Sequence, residues 1–459
     1  MPPERPRKRR EKKLENLLVH GLEEELPHLL GKSPDGSFDL EALEEGCRET
    51  ALKVAARILS ETLNRDLSDQ KDTLRPCSCG GEAVLNGHVS KTVHSILGPP
   101  RLSRAYYHCV ACQAGFCPRD RKTGIEHVSC TPATLRKIGL VAATVSFEES
   151  AELLQSLAGL RISPKQVERT AEELGTEMIA DEQAVSAPEP ADLSRQEVVY
   201  MGWDGTGVPM RPEEVAGRPG KQEDGSSKTR EAKLCLTWTA SHTDERGVPV
   251  RDKGSVRYVG GLLSASAPDT RRTPSDFAQL VLRESRRTGF DQARTQVVPG
   301  DGAAWIWNTA SEHFPNAIQI VDLFHAKEHL STVAKAIFDP KTPAYDFWVE
   351  ARHKELDDGQ IDALSVYEKR FPEAKHGIGY LETDRKRMDY PAFRAQDYCV
   401  SSGVVEAGGK RIVGARLKRG GMHWSEFGAN AIIALRNCKL SGRFEAFFER
   451  RSQRRSSAA

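Results

Sequence analysis

The chain has 459 residues, 38% hydrophobic and 29% charged, with a formal net charge of +1. That is an ordinary globular composition, long enough for several domains. No run of about 18 apolar residues occurs, so no membrane span is expected.

In chain order, the opening segment MPPERPRKRREKK holds seven Lys or Arg against two Glu. No apolar stretch follows it, so a secretory leader is not expected; a basic arm suits nucleic acid and equally a solvated tail. Residues 14–67 read as helical, with Leu14, Leu17, Leu18, Leu22 and Leu26 near helical spacing, a face suited to self-association. Residues 74–120 change to short strand-like runs with Gly and Cys. Residues 131–180 are helical again: Thr131-Pro132 opens one helix, and SFEE (Ser146, Glu149) and SPKQ (Ser163, Gln166) read as capping boxes. The segment AVSAPEPADLSRQE (184–197) reads as a linker. Beyond it come the strand-like runs VVYMGW, AKLCLTWTA, SVRYVGGLL, TQVVPGD and AIQIVDLFH, and then an almost wholly helical stretch over 326–395.

Ten cysteines without an export signal argue against a disulfide framework. Cys47, Cys235, Cys399 and Cys438 lie among apolar or helical neighbours and suit small buried positions. Cys77 and Cys79 in RPCSCGG, with Cys109 and Cys112 in YYHCVACQAGF, form two short pairs about 30 residues apart. That pattern fits a zinc ribbon holding one structural Zn²⁺ through four thiolates. The first pair is tighter than the usual spacing, and Cys117, His108 and Cys130 are alternative ligands for Cys79.

Carboxylates follow three of the apolar runs: Asp204 in VVYMGWDGT, Asp301 in TQVVPGDGA and Asp322 in AIQIVDLFH. An ionised carboxylate at a buried strand end needs a cationic partner. Several together suit Mg²⁺ or Mn²⁺, and a pair of such ions can clamp the attacking and leaving oxygens of a phosphodiester. His325 and His329 follow Asp322 at helical spacing. Glu406 precedes a basic stretch, Lys410, Arg411, Arg416, Lys418 and Arg419, suited to a phosphate backbone. In the helical segment 131–180, Lys165, Gln166 and Arg169 sit where a helix-turn-helix reader would meet the groove. Trp305, Trp307 and Trp424 are candidates for stacking on a base or for the core.

The ordered set GWDGT, PGDGA, DLFHAKEHL and SGVVEAGGKRIVGARLKRGGMHW resembles the ISKra-type insertion-sequence transposases, in the Mutator-like branch of the DDE superfamily. The resemblance covers roughly residues 70–450. It implies an α/β fold: a ribonuclease-H-like mixed sheet with a helical insertion, preceded by a zinc ribbon and helical N-terminal segments. It implies a catalytic, Mg²⁺-binding triad of Asp204, Asp301 and Glu406, with Asp322 and His325 as a signature pair; Glu426 is the alternative third acid. Two Mg²⁺ ions (Mn²⁺ as substitute) and a structural Zn²⁺ are the implied cofactors. The implied partner is double-stranded DNA, both element ends and target, bound by a homodimer or higher oligomer in the bacterial cytoplasm. The implied reaction is metal-dependent strand cleavage and strand transfer. A non-catalytic DNA-binding descendant and a nuclease without strand transfer are the rival readings. The expected domains are 1–70 helical with the basic arm, 71–130 zinc ribbon, 131–183 DNA-binding helices, 184–197 linker and 198–459 catalytic, with its insertion at about 326–395.

Overall fold

The computed structural model describes residues 39–457 apart from 127, 185–196, 221, 246, 266–269 and 361–369, together with Val19 and Glu23. The basic arm, the leucines Leu14, Leu17, Leu18, Leu22 and Leu26, and the interior of the linker lie outside the described residues. Among the described residues no helix is long and apolar enough to cross a membrane. The chain is mixed α/β and forms two compact units, Met1–Thr170 with Ala446–Ala459, and Ala171–Glu445.

Helix α1 (Leu40–Asn64) lies in the first unit and is capped by Asp39, whose side chain accepts from the Ala42 N–H. Four strands follow, β1 (Leu74–Pro76), β2 (Glu82–Thr92), β3 (Arg101–Cys109) and β4 (Gly115–Phe116), antiparallel in the order β1-β2-β3-β4. The β2–β3 register shifts between Leu85 and His88, where Gly87 takes φ +90°, a left-handed conformation that glycine adopts without strain. One apolar cluster here is Cys77, Ala83, Ala105, Tyr107 and Cys109, with Leu85 and Phe116 against it. A buried Arg119–Asp69 ion pair at 2.6 Å and the Tyr107 hydroxyl, donating to the Asp69 and Asp72 carbonyls, brace it.

Helices α2 (Pro132–Ala142), α3 (Phe147–Ala158) and α4 (Pro164–Ala184) follow. Thr131 caps α2, and Ser146 with Glu149 makes both arms of a capping box on α3. On α4 the expected box is only half formed. Ser163 accepts from the Gln166 N–H, but Gln166 turns its amide to Thr170 Oγ1. The division between the two units falls inside α4.

The second unit is built on strands β5 (Val198–Pro209), β6 (Thr229–Trp238), β9 (Arg257–Gly261), β10 (Thr295–Gly300) and β11 (Ile318–Val321), with a small hairpin β7 (His242–Thr243) and β8 (Pro249–Val250) set off from the sheet. The sheet order is β11-β10-β5-β6-β9. β5, β6 and β9 form an antiparallel meander, while β10 and β11 run parallel to β5. Residues 199–203 are buried without interruption, as a central strand covered on both faces requires. Pro299, which has no N–H to donate, lies beyond the last β10–β5 pair and is tolerated there.

Helix α5 (Asp276–Thr288) precedes β10, and α6 (Ala304–His313) links β10 to β11. The expected helical stretch contains α7 (Leu323–Ile337), α8 (Pro343–Asp357) and α9 (Lys375–Thr383), before α10 (Gly403–Gly409) and α11 (Glu426–Leu440). α11 covers the outer edge of the sheet. Asn430 Oδ1 accepts from the Leu262 N–H and Ser441 Oγ from the Tyr258 N–H, which satisfies edge donors that would otherwise invite another strand.

Candidate active site

The register of the parallel strands brings the carboxylates together. β10 pairs with β5 through Thr295↔Val198 to Val297↔Tyr200, and with β11 through Val297↔Ile318 to Gly300↔Val321. Carried on without a shift, this register sets Asp204, Asp301 and Asp322 side by side in one row across three strands. Residues of one row share a face of the sheet. The Asp322 N–H donates to the Gly300 carbonyl at 2.8 Å, extending the β10–β11 ladder to the row itself. Asp204 does not end its strand, contrary to expectation: β5 runs on to Pro209, paired there with β6 alone.

A cavity of about 250 Å³ opens on this row, and Asp204, Asp301, Asp322, His325, Glu328 and Glu406 are among its lining residues. Glu406 comes from α10, which lies close against the sheet because glycines face it. A Cβ on Gly202 would stand 2.3 Å from Val405 Cγ2, and one on Gly408 2.3 Å from Leu236 Cδ2. α10 then passes into a π-helical turn, Lys410–Gly414. Glu406 is exposed and pairs with Lys410 at 2.7 Å, a surface contact of little energetic weight. Glu426, the alternative third acid, is engaged in an ion pair with Arg230.

The electrostatics of the row are uneven. Burial, and after it the charge of Asp301, push the Asp204 carboxyl up to about 6. Asp322 behaves oppositely. Burial works against its ionisation, but hydrogen bonds from the His325 ring and the Ser402 backbone outweigh burial and hold it below the ordinary carboxylate range. The Asp322 hydrogen bond pushes the His325 imidazole up to about 9 against the effect of burial, so His325 is cationic at neutral pH.

Asp322 caps α7. Its Oδ1 accepts from the His325 N–H at 2.8 Å and lies 3.3 Å from His325 Nδ1, while its Oδ2 accepts from the Ser402 N–H. Both oxygens are committed to the fold. Asp301 spends Oδ1 on the Ala303 N–H at 2.9 Å.

The basic residues scatter. Lys410 and Arg411 are exposed, Lys418 is exposed with Nζ 2.7 Å from Thr206 Oγ1, and Arg419 is half-buried. Arg416 departs from the expectation of a phosphate contact: it is fully buried, its guanidinium 5.2 Å from the Trp424 ring. In the first unit Lys165 is exposed but paired with Glu168 at 2.6 Å, and Arg169 is exposed. Trp307 and Trp424 are buried; Trp305 is half-buried, with Lys233 Nζ 4.0 Å from its ring centre. Glu328 and Ser402 belong to the site and escape the sequence reading. Glu328 could have been found three residues after His325 on one helix face; the part played by the Ser402 N–H has no sequence signal.

In the first unit, the Sγ atoms of Cys77, Cys79, Cys109 and Cys112 lie within 4.8 Å of one another. Cys77 and Cys112 are 3.5 Å apart, Cys79 and Cys109 3.7 Å. Four thiolates each about 2.3 Å from a tetrahedral Zn²⁺ stand about 3.8 Å apart, so the donor set fits that ion. Cys79 is part of the cluster; Cys117 and Cys130 are not.

No family model matches the chain. It is 21% identical over 351 residues to the "UPF0236 protein in vanSb 3'region" of Streptococcus gallolyticus, covering 73% of this chain and 70% of that protein. Among solved structures, the Drosophila P element transposase strand transfer complex matches with a TM-score of 0.24 and 11% identity, over 73% of this chain and 84% of that one.

Proposed function

We propose that this chain is a DNA transposase of the ISKra type, with a ribonuclease-H-like catalytic core in which Asp204, Asp301 and Glu406 hold two divalent cations. The observation that carries this reading is the cavity that those three carboxylates line together, over a sheet ordered β11-β10-β5-β6-β9. A three-stranded meander with two parallel strands beside its first strand supports the ribonuclease-H-like reading. The donors are all oxygens, which suits Mg²⁺ or Mn²⁺, and a cation held by Asp204 and Asp301 would offset the upward push that burial and the Asp301 charge exert on Asp204.

When bound, the cations would neutralise the scissile phosphate and lower the pKa of the attacking water. The protein's own groups then position the reactants. His325, cationic beside the row, donates to a phosphate oxygen. Asp322 holds that imidazole and the start of the Glu406 helix. Water attacks phosphorus at the element end; a P–O bond forms, the bond to the 3′ oxygen breaks, and a 3′-hydroxyl is left. That hydroxyl next attacks a target phosphodiester, forming one P–O bond and releasing another 3′-hydroxyl. Lys410, Arg411, Lys418 and Arg419 supply sequence-independent attraction for the backbone. Lys165 and Arg169 read the element end, and the Cys₄ cluster holds a structural Zn²⁺ that stiffens the small first-unit sheet.

The test is incubation of purified protein with labelled element-end duplex and Mg²⁺, scored for nicking and for joined products. The reading expects both, with nicking lost in Asp204→Asn and Asp301→Asn while DNA binding survives. Nicking without joining points to a nuclease; binding without nicking in Mg²⁺ or Mn²⁺ overturns the catalytic assignment.

A further inference from the structure

The loop that carries Asp301 is held by a residue from far along the chain. Tyr380, on α9 of the helical stretch, donates its hydroxyl to the Asp301 carbonyl at 2.7 Å. Its ring lies over Gly302, which takes φ +96°, a left-handed conformation; a Cβ there would stand 2.1 Å from Tyr380 Cε2. The Tyr380 ring also stacks on His329 of α7, with centres 3.7 Å apart and planes 13° apart. α7 and α9 approach closely beside this stack, since a Cβ on Gly377 would stand 2.7 Å from Val333 Cγ2.

The Asp301 peptide is thus gripped from two directions: Tyr380 holds its carbonyl, and the Ala303 N–H holds its Oδ1. Each contact removes a rotation that a carboxylate at a strand end would otherwise keep. We propose that Tyr380 is a positioning residue that fixes Asp301 for cation binding, so that the helical stretch between β11 and α10 is part of the metal site's support. This rests on the reading of Asp301 as a cation ligand. Groups that orient ligands without touching the ion typically change metal affinity 10–100-fold when removed.

The test is Tyr380→Phe, which keeps the ring and its stack on His329 and deletes only the hydroxyl. Mn²⁺ binding to the full chain is measured by calorimetry and by competition with Tb³⁺ luminescence, with Asp301→Ala as the reference, and thermal unfolding is recorded in parallel. The expected result is Mn²⁺ affinity weakened roughly tenfold with an unchanged unfolding temperature, and DNA nicking that recovers at high Mn²⁺. Equal Mn²⁺ curves for wild type and Tyr380→Phe overturn the positioning role alone. A lowered unfolding temperature with unchanged affinity also overturns it, as a plain packing role. A wild-type chain that binds no Mn²⁺ overturns the metal site itself, and the role of Tyr380 with it.

Discussion

Asp322 and Ser402, 80 residues apart, are joined by a hydrogen bond from the Ser402 N–H to the Asp322 carboxylate. The same carboxylate caps α7 through the His325 N–H. One buried side chain therefore sets the start of the helix bearing His325 and of the helix bearing Glu406. The Leu323 N–H, donating to the Val400 carbonyl at 2.9 Å, ties the same two segments a second time.

Asp322→Asn tests this link. The amide has one acceptor oxygen where the carboxylate offers two, so its NH₂ must face either the His325 or the Ser402 N–H. A buried donor left without an acceptor costs about 1–3 kcal/mol. Urea unfolding should show that loss, and nicking should fall at all metal concentrations. Unchanged stability contradicts the double anchoring.

Gly202→Ala should displace α10. The added methyl meets Val405, the residue before Glu406, with Trp238 also close. Overpacking of this kind costs about 1–3 kcal/mol. We expect a comparable loss in urea unfolding and a larger proportional loss of nicking, because the displacement falls on the third acid. Glu426→Gln, by contrast, breaks only its ion pair with Arg230 and should leave nicking intact.

The Cys₄ cluster should contain one Zn²⁺ per chain by elemental analysis. Cys112→Ser, or prolonged chelation, should remove the ion and unfold the small sheet first, read as lost amide-exchange protection over β1–β4. Full zinc content after loss of Cys112 contradicts the assignment.

Asp252 gives a pH test away from the acid row. Burial opposes its ionisation, but hydrogen bonds from Thr239, His242 and Ser241 outweigh burial and bring the carboxyl down to about 2. A depressed folded-state pKa stabilises the fold above the unfolded value of about 4, and that contribution fades as pH falls towards 2. The difference in urea midpoint between wild type and Asp252→Asn should be constant from about pH 5 upward and shrink in acid. A difference that grows in acid contradicts the sign.

The alternation of apolar runs and carboxylates is legible in the sequence, because strand propensity and the residue that follows a strand are local properties. So are the paired cysteines and the caps on Thr131 and Ser146. What escapes is what register and packing decide. No local pattern says that Asp204 lies inside a long strand, opposite Leu234, while Asp301 lies just past one. Arg416 reads as one more cation in a basic run, yet it is fully buried with its guanidinium against the Trp424 ring. Tyr380 and Ser402 act through a backbone carbonyl and a backbone N–H far away in sequence, where side-chain identity carries little signal.

Asp204, Asp301 and Glu406 are proposed to bind the cations of one strand-transfer site, and ligand softness tests that role directly. Each acid is replaced singly by Cys, and joining of a pre-cleaved element end to target DNA is measured in Mg²⁺ and in Mn²⁺. A thiolate is a poor ligand for Mg²⁺ and a better one for Mn²⁺. The expected variants are inactive in Mg²⁺ and substantially restored in Mn²⁺. Variants that stay folded and join strands normally in Mg²⁺ would contradict it.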